Sequence, residues 1–189
     1  MATIILFHSV LGLRQVETEA SSRMRFAGHT VFTPDLYCGL TTDSIDEGFE
    51  IKQSVGWETI CARARAALDS VPAAAVLAGH SMGAGVVGEI WPERPKSRGV
   101  VLLHGLANIP ARMRKDLPVV VHIADPDPFA SQEAVASWAP MARMAGARAD
   151  VFTYPNVGHF YTDATLSDYD SVATEKTWTQ VLAFLDSIR

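Results

Sequence analysis

Short apolar runs without polar alternation recur along this chain, and longer stretches with helical periodicity separate them. A strand whose residues are apolar on both sides must be buried on both faces, as in a parallel sheet covered by helices. A single run of this kind does not distinguish a strand from a buried helix, but six in series with helices between them do. The predicted strands span Thr3–His8, Thr30–Thr33, Ala74–Ala78, Gly99–His104, Leu117–Ile123 and Ala149–Thr153.

Five stretches between and after these runs carry apolar residues at helical spacing. The predicted helices span Arg14–Ala27, Val55–Ser70, Met82–Trp91, Ser131–Met144 and about Val172–Ile188. This alternation predicts an α/β fold with a doubly wound, mainly parallel sheet of about six strands. No repeat or linker divides the sequence, so we expect residues 1–189 to form one domain. The segment Pro34–Gln53 contains no predicted element and is expected to be a loop beside the binding crevice.

Charge and composition exclude several classes of partner. The net charge of −5 provides no basic surface for nucleic acid or an anionic membrane. No run approaches the roughly 18 apolar residues of a membrane helix. The apolar opening Ala2–Phe7 lacks a preceding cationic region and a following cleavage site, so we interpret it as a strand rather than a signal peptide. Cys38 and Cys61 indicate neither a disulfide framework nor a metal site, which is compatible with a cytoplasmic protein.

A G-x-S-x-G element, Gly79-His80-Ser81-Met82-Gly83, lies directly after a predicted strand and before a predicted helix. This is the setting of a nucleophile elbow, in which a strained turn exposes a serine hydroxyl at the edge of the sheet. The glycines on either side allow the backbones to approach closely. The pattern favours Ser81 as a nucleophile over the alternative, a glycine-rich turn that only connects strand and helix.

A nucleophilic serine needs a general base within hydrogen-bond reach, and the base needs a third group to orient it. Nucleophile elbows of this type are followed along the chain by an acid and then a histidine. Asp125 and Asp127 follow one predicted strand and His159 follows the next, so His159 is the predicted base. Either aspartate could be the acid, with Asp127 preferred, and both could instead belong to the start of the following helix. The two carboxylates lack the companions of a metal site, so we expect no metal and no cofactor.

The transition state of acyl transfer also requires donors for a developing oxyanion. The N–H of Met82, directly after the nucleophile, is one predicted donor. The N–H of Val10, in the loop after the first strand, is the predicted second donor. Four further side chains near strand ends are candidates for the walls of a substrate pocket, although such residues often belong to the core: Leu11, Tyr37, Trp138 and Phe160.

Several segments, taken in order, resemble the dienelactone hydrolase family over most of the chain. They are Val10–Leu13, Pro34–Tyr37, the elbow at residues 79–83, His122–Phe129 and Tyr154–Phe160. The resemblance implies an α/β-hydrolase fold without a large lid domain, and it implies that Asp127 is the acid. Three positions differ from the family's founding members: Ser81 replaces a cysteine nucleophile, Ser9 replaces a glutamate, and Asp163 stands near the place of a substrate-binding arginine.

These observations predict a serine hydrolase that acts on a small-molecule ester or lactone without a carboxylate anchor. A thioesterase or another activated-acyl hydrolase would use the same three residues. A non-catalytic binding protein on the same fold is the alternative from a different class. The sequence indicates neither the physiological substrate nor the oligomeric state.

Overall fold

A computed structural model describes residues 1–111 and 113–188 of the chain. These residues form six strands and six helices, with two successive helices between the second and third strands and no helix between the fourth and fifth. A 3₁₀ turn at Trp91–Glu93 follows the fourth helix. The strands are β1 (Thr3–Phe7), β2 (Thr30–Phe32), β3 (Val76–His80), β4 (Val100–Leu103), β5 (Leu117–Asp125) and β6 (Ala147–Pro155). The helices are α1 (Gln15–Phe26), α2 (Ile45–Val55), α3 (Trp57–Leu68), α4 (Met82–Ile90), α5 (Gln132–Met144) and α6 (Ser171–Ser187).

The strands form one parallel sheet in the order β2-β1-β3-β4-β5-β6, which confirms the predicted doubly wound architecture. The chain moves outward from β1 to β2 and then returns to the other side of β1 to form β3. The order therefore reverses between β1 and β3. In open parallel sheets, ligands bind at such a reversal, beyond the carboxyl ends of the strands.

Side chains alternate between the two faces of the sheet, and helices cover both faces. Ile5 and Phe7 belong to a core with residues from α3, α4 and α5, whereas Ile4 and Leu6 contact residues of α1 and α6. All four side chains are fully buried. Burial on both faces of the sheet therefore explains the continuous apolar runs in the sequence, as predicted. None of the helices in the described part of the chain combines the length and apolarity needed to cross a bilayer.

The prediction was wrong between the second and third strands. The segment expected to be a loop contains α2, and the helix expected to start at Val55 starts instead at Trp57. Gly56, with φ at +84°, separates α2 from α3 because this left-handed conformation interrupts a helix. Ser44 caps α2, since its side chain accepts a hydrogen bond from the N–H of Glu47. This unpredicted helix contributes to the candidate active site.

Candidate active site

Ser81 occupies the sharp turn between β3 and α4, with φ at +48° and ψ at −107°. The turn requires glycine two residues before and two residues after Ser81. A Cβ on Gly79 would lie 2.2 Å from the backbone of Gly83, and a Cβ on Gly83 would lie 2.2 Å from the carbonyl oxygen of Phe7. The backbone of Ser81 is fixed by an N–H donated to the carbonyl oxygen of Leu103 at 2.7 Å. The motif therefore adopts the strained geometry that the sequence predicted, with the hydroxyl beyond the carboxyl end of the sheet.

The structure brings Ser81, His159 and Asp127 together in one hydrogen-bonded chain. Ser81 Oγ lies 2.9 Å from His159 Nε2, and His159 Nδ1 lies 2.7 Å from Asp127 Oδ2. His159 and Asp127 are both buried, whereas Ser81 is partly exposed to the cavity described below. A carboxylate at Nδ1 fixes the tautomer whose Nε2 lone pair faces the serine proton. The geometry suits proton transfer from the serine hydroxyl to the histidine.

The acid loop at the end of β5 distinguishes the two candidate aspartates. Asp127 Oδ1 accepts a hydrogen bond from the N–H of Phe129 at 2.8 Å, which leaves Oδ2 for His159. Asp125 Oδ1 instead accepts a hydrogen bond from the side chain of Gln132. The ring of Phe129 packs edge-on against that of His159, with centroids 4.7 Å apart. Asp127, rather than Asp125, therefore contacts the histidine.

The other five histidines contact different groups. The ring nitrogens of His8 form hydrogen bonds with the N–H of Leu36 and the carbonyl oxygen of Ser9. His29 Nδ1 accepts a hydrogen bond from the N–H of Ala2. The other three form hydrogen bonds with side chains: His80 with Glu17, His104 with Thr162 and His122 with Tyr154.

Burial shifts the titration of two of these histidines. It lowers the pKa of His122 to about 3. Burial, together with the neighbouring histidines, lowers the pKa of His104 well below its ordinary value. Both rings are therefore neutral near pH 7 and serve as buried hydrogen-bonding groups.

The loop after β1 brings Val10 to the cavity that Ser81 and Met82 of the elbow also line. The N–H groups of the residues on either side of Val10 are hydrogen-bonded. Ser9 donates to Glu17 Oε1, in α1, at 3.4 Å, and Leu11 donates to Ser9 Oγ at 3.2 Å. Among the described residues, the hydrogen bonds of loops and turns include none donated by the N–H of Val10 or of Met82. Both residues line the same cavity as Ser81. Val10 and Met82, the two predicted oxyanion donors, therefore lie at one cavity with the predicted nucleophile.

A cavity of about 240 Å³ opens above Ser81 and His159. Most of its wall is apolar, and its lining also includes the polar residues Ser81, His159, His104 and Lys52. The lining residues are Val10, Ile45, Phe49, Lys52, Ser81, Met82, Gly85, His104, Gly105, Leu106, Phe129, His159 and Phe160. The volume lies below the roughly 300–1,000 Å³ typical of sites for drug-sized ligands. The cavity therefore suits a small acyl group.

Of the four predicted pocket residues, Phe160 lines this cavity and the other three lie in the hydrophobic core. Leu11, Tyr37 and Trp138 are all buried members of the main core cluster. The hydroxyl of Tyr37 points to Met82 Sδ at 3.1 Å, and Trp138 Nε1 donates to the carbonyl of Ala107 at 2.7 Å. Leu11 and Tyr37 lie in loops that follow strands, and Trp138 lies within α5. The side chains of all three are buried in the interior of the protein.

Helix α2 supplies three of the wall residues that the sequence interpretation missed. Ile45, Phe49 and Lys52 follow one another at intervals of four and three, so they share one face of the helix, and all three line the cavity. Lys52 Nζ lies 5.1 Å from the ring centre of Trp57 and 5.9 Å from that of Phe49. The S-x-x-E cap at Ser44 and this apolar spacing were the signals available in the sequence.

Two polar contacts hold the loop that carries His159. The N–H of Phe160 donates to Asp168 Oδ2 at 3.0 Å. Asp163, which stands where the resemblance implies an arginine, is buried and paired with Arg14 at 2.7 Å. Arg14 also contacts Asp43, so it links the start of α1 to the segment before α2.

Within residues 1–111 and 113–188, no group of three or more His, Cys, Asp or Glu side chains is arranged to hold a metal ion.

Comparison with known proteins gives a family and a fold. A sequence model of the dienelactone hydrolase family matches residues 1–189, whereas no curated protein sequence matches the chain. One similar structure is a dienelactone hydrolase-like promiscuous phosphotriesterase from metagenomic libraries, with a TM-score of 0.81 and 19% identity over 100% of this chain and 87% of that one. Another is a thermophilic esterase of the Planctomycetes species Thermogutta terrifontis, solved with propionate bound; its TM-score is 0.70, with 16% identity over 99% of this chain and 83% of that one. The structural similarities establish the predicted α/β-hydrolase fold.

Proposed function

Since the chain belongs to the dienelactone hydrolase family and is a hydrolase of that type, we propose that it cleaves a small carboxylic ester or lactone through a covalent acyl-enzyme. Ser81 is the nucleophile, His159 the general base and Asp127 the orienting acid. The observation that carries the proposal is the hydrogen-bonded chain of these three residues, with separations of 2.9 and 2.7 Å, at the floor of a small cavity.

In the first half-reaction, His159 Nε2 takes the proton of Ser81 Oγ as the oxygen attacks the ester carbonyl carbon. The carbonyl π electrons move to the oxygen, and the N–H groups of Val10 and Met82 stabilise the resulting oxyanion. Collapse of the tetrahedral intermediate breaks the bond to the alcohol, which leaves with the proton from His159. The carboxylate of Asp127 stabilises the imidazolium during this step.

In the second half-reaction, water replaces the alcohol. His159 takes a proton from the water molecule, whose oxygen attacks the acyl carbon, and the same two N–H groups stabilise the second oxyanion. Collapse returns the proton to Ser81 Oγ and releases the carboxylic acid. For a lactone, the alcohol and acid remain parts of one molecule. The chemistry requires no group beyond the chain's own residues and water.

The cavity supports a small substrate. Its volume of about 240 Å³ and its apolar wall suit a short acyl chain. The propionate bound to the Thermogutta terrifontis esterase has this character. Lys52 adds a positive charge at the wall, so an acyl group with a distal negative charge is the alternative to the substrate without a carboxylate anchor that the sequence predicts. The free thiols of Cys38 and Cys61 are compatible with the proposed cytoplasmic location.

A panel of p-nitrophenyl esters of increasing acyl length, extended with simple lactones and thioesters, tests the proposal. We expect the highest kcat/KM for short oxygen esters or lactones, with no activity above background in Ser81→Ala. Ser137→Ala is a matched control, because this serine lies on the exposed side of α5 and its hydroxyl contacts only the helix backbone. A preference for thioesters would support the thioesterase alternative, and a folded protein inactive on the whole panel would contradict the proposal.

A further inference from the structure

A glutamate in the first turn of α1 is fully buried behind the candidate active site. Glu17 is 0% exposed, although its neighbours on the same helix, Thr18 and Glu19, face solvent. A buried carboxylate is costly unless hydrogen bonds compensate for the lost hydration. The partners of Glu17 therefore indicate what the structure gains from keeping it there.

One set of partners belongs to the loop that carries Val10. Glu17 Oε2 accepts a hydrogen bond from the N–H of Arg14 at 2.9 Å, which is the ordinary role of a glutamate in the first turn of a helix. Glu17 Oε1 accepts a second hydrogen bond, from the N–H of Ser9 at 3.4 Å. Ser9 directly precedes Val10, so this contact fixes the peptide next to one proposed oxyanion donor.

The other partner belongs to the nucleophile elbow. The same oxygen, Glu17 Oε1, accepts a hydrogen bond from His80 Nδ1 at 3.1 Å. His80 directly precedes Ser81, and it is also buried. The carboxylate thus connects Ser9, which precedes Val10, with His80, which lies two residues before Met82. These two segments are far apart in the sequence.

The surroundings keep Glu17 ionised. Burial alone raises the pKa of the carboxyl group, but the hydrogen bond and charge of His80 and the N–H of Arg14 outweigh that effect and hold the pKa below its usual value. The charged form accepts these hydrogen bonds more strongly than a neutral carboxyl would. A buried charge with these partners forms a link between the two segments.

We propose that Glu17 is a positioning residue for the oxyanion hole: its carboxylate holds the loop at Ser9 and the elbow at His80 in the arrangement that lets Val10 and Met82 bind the same oxygen. This role rests on the proposed function. It goes beyond the capping of α1, because a cap needs only Arg14, whereas Glu17 also binds two segments outside its helix. Glu17 forms no hydrogen bond with Ser81 or His159, so among the catalytic groups we expect the two oxyanion donors to be affected most.

Glu17→Gln tests the role with almost no change in volume. Removing one oxyanion donor outright costs about 100- to 1,000-fold in kcat, so displacing the pair should cost about 10- to 100-fold, with KM changed less than about threefold. The decisive readout is the ratio of kcat/KM for an aryl ester to that for the matching thionoester, in which sulfur replaces the carbonyl oxygen. Sulfur is a weak hydrogen-bond acceptor, so a well-formed hole favours the ester and a displaced one lowers the ratio.

The ratio does not depend on the concentration of active enzyme, so partial unfolding of a variant does not imitate the effect. Glu19→Gln is the matched control, since Glu19 is exposed on the same helix and its carboxylate accepts a hydrogen bond from the side chain of Gln15. A second pair of variants examines the other partner. His80→Leu removes the donor to Glu17 and should lower the ratio, whereas His80→Asn keeps a donor near the place of Nδ1 and should restore most of it.

A ratio that falls in Glu17→Gln and His80→Leu but not in Glu19→Gln supports the proposal. If Glu17→Gln does not fold, the comparison of His80→Leu with His80→Asn decides in its place. An unchanged ratio in the folded variants, with an active wild type, overturns the role of Glu17 and leaves the proposed function standing. A folded wild type that hydrolyses neither ester overturns both.

Discussion

Replacing Asp127 with asparagine should change which ring nitrogen of His159 carries the proton, while the geometry of the site stays almost the same. The residue has two partners: Oδ1 accepts from the N–H of Phe129 at 2.8 Å, and Oδ2 accepts from His159 Nδ1 at 2.7 Å. Only the oxygen of an asparagine amide can accept from the N–H of Phe129. The amide nitrogen must therefore face His159, where it donates to Nδ1 and stabilises the tautomer with its proton on Nε2. In that tautomer Nε2, the nitrogen that faces Ser81, has no lone pair to accept the serine proton.

The size of the effect follows from this tautomer change. In a serine–histidine–aspartate arrangement, the same substitution lowers kcat by about 10⁴ while the geometry is kept. That loss corresponds to about 5 kcal/mol of transition-state stabilisation. We expect a fall of this order in Asp127→Asn, with KM nearly unchanged because the cavity wall is the same.

The assay is steady-state hydrolysis of a short p-nitrophenyl ester, accompanied by circular dichroism to verify folding. Asp125→Asn is the matched control, because Asp125 lies two residues away, at the end of β5, and contacts Gln132 instead of the histidine. The control should stay within about threefold of the wild type. A loss of less than tenfold in Asp127→Asn, or an equal loss in Asp125→Asn, would refute the assignment of the acid.

Three further predictions follow from other parts of the structure. Lys52→Met should lower kcat/KM for an ester with a terminal carboxylate on its acyl chain by about three- to tenfold relative to a neutral ester of equal length; an equal change for both would exclude a charge effect. Gly83→Ala should cost about 1–3 kcal/mol of unfolding free energy in urea titrations, since its Cβ would meet the carbonyl oxygen of Phe7, whereas Gly85→Ala, which has room for a Cβ, should be neutral or stabilising. Because the pKa of His122 is about 3 when folded and about 6.5 when unfolded, the unfolded state binds the extra proton between these values, and stability should fall as the pH is lowered through this range. A His122→Gln variant whose unfolding free energy has the same pH slope as the wild type would contradict that account.

Local signals in the sequence explain why the elbow was predicted correctly. Gly79 and Gly83 are required by close backbone contacts within one strand–turn–helix unit and with the neighbouring strand. The presence of glycine at these positions is therefore enough to indicate such contacts from the sequence. The continuous apolar runs likewise report burial on both faces of the sheet. The chain order of Ser81, Asp127 and His159 was sufficient to propose which side chains meet, because parallel strands bring their carboxyl ends to one edge.

Other features depend on contacts that no local pattern reports. Helix α2 was missed because Gly48 lies in its middle and weakens the helical pattern, although the structure needs a glycine there: a Cβ would lie 2.8 Å from the carbonyl oxygen of Val10. The assignment of Tyr37 and Trp138 to the pocket failed because the direction of each side chain depends on a partner that is distant in the sequence. Glu17 resembles an ordinary exposed residue of a first helical turn, and its burial depends on His80, 63 positions away.

Covalent labelling of Ser81 tests the central claim most directly. A fluorophosphonate reacts with a serine that has been activated by its base and oxyanion hole, and intact mass spectrometry followed by peptide mapping locates the adduct. We predict one phosphonyl group per chain, on Ser81, with no labelling of Ser81→Ala and greatly slowed labelling of His159→Gln. A folded wild-type protein that stays unlabelled while active serine hydrolases react under the same conditions, or an adduct on another residue, would contradict the assignment of Ser81 as the nucleophile.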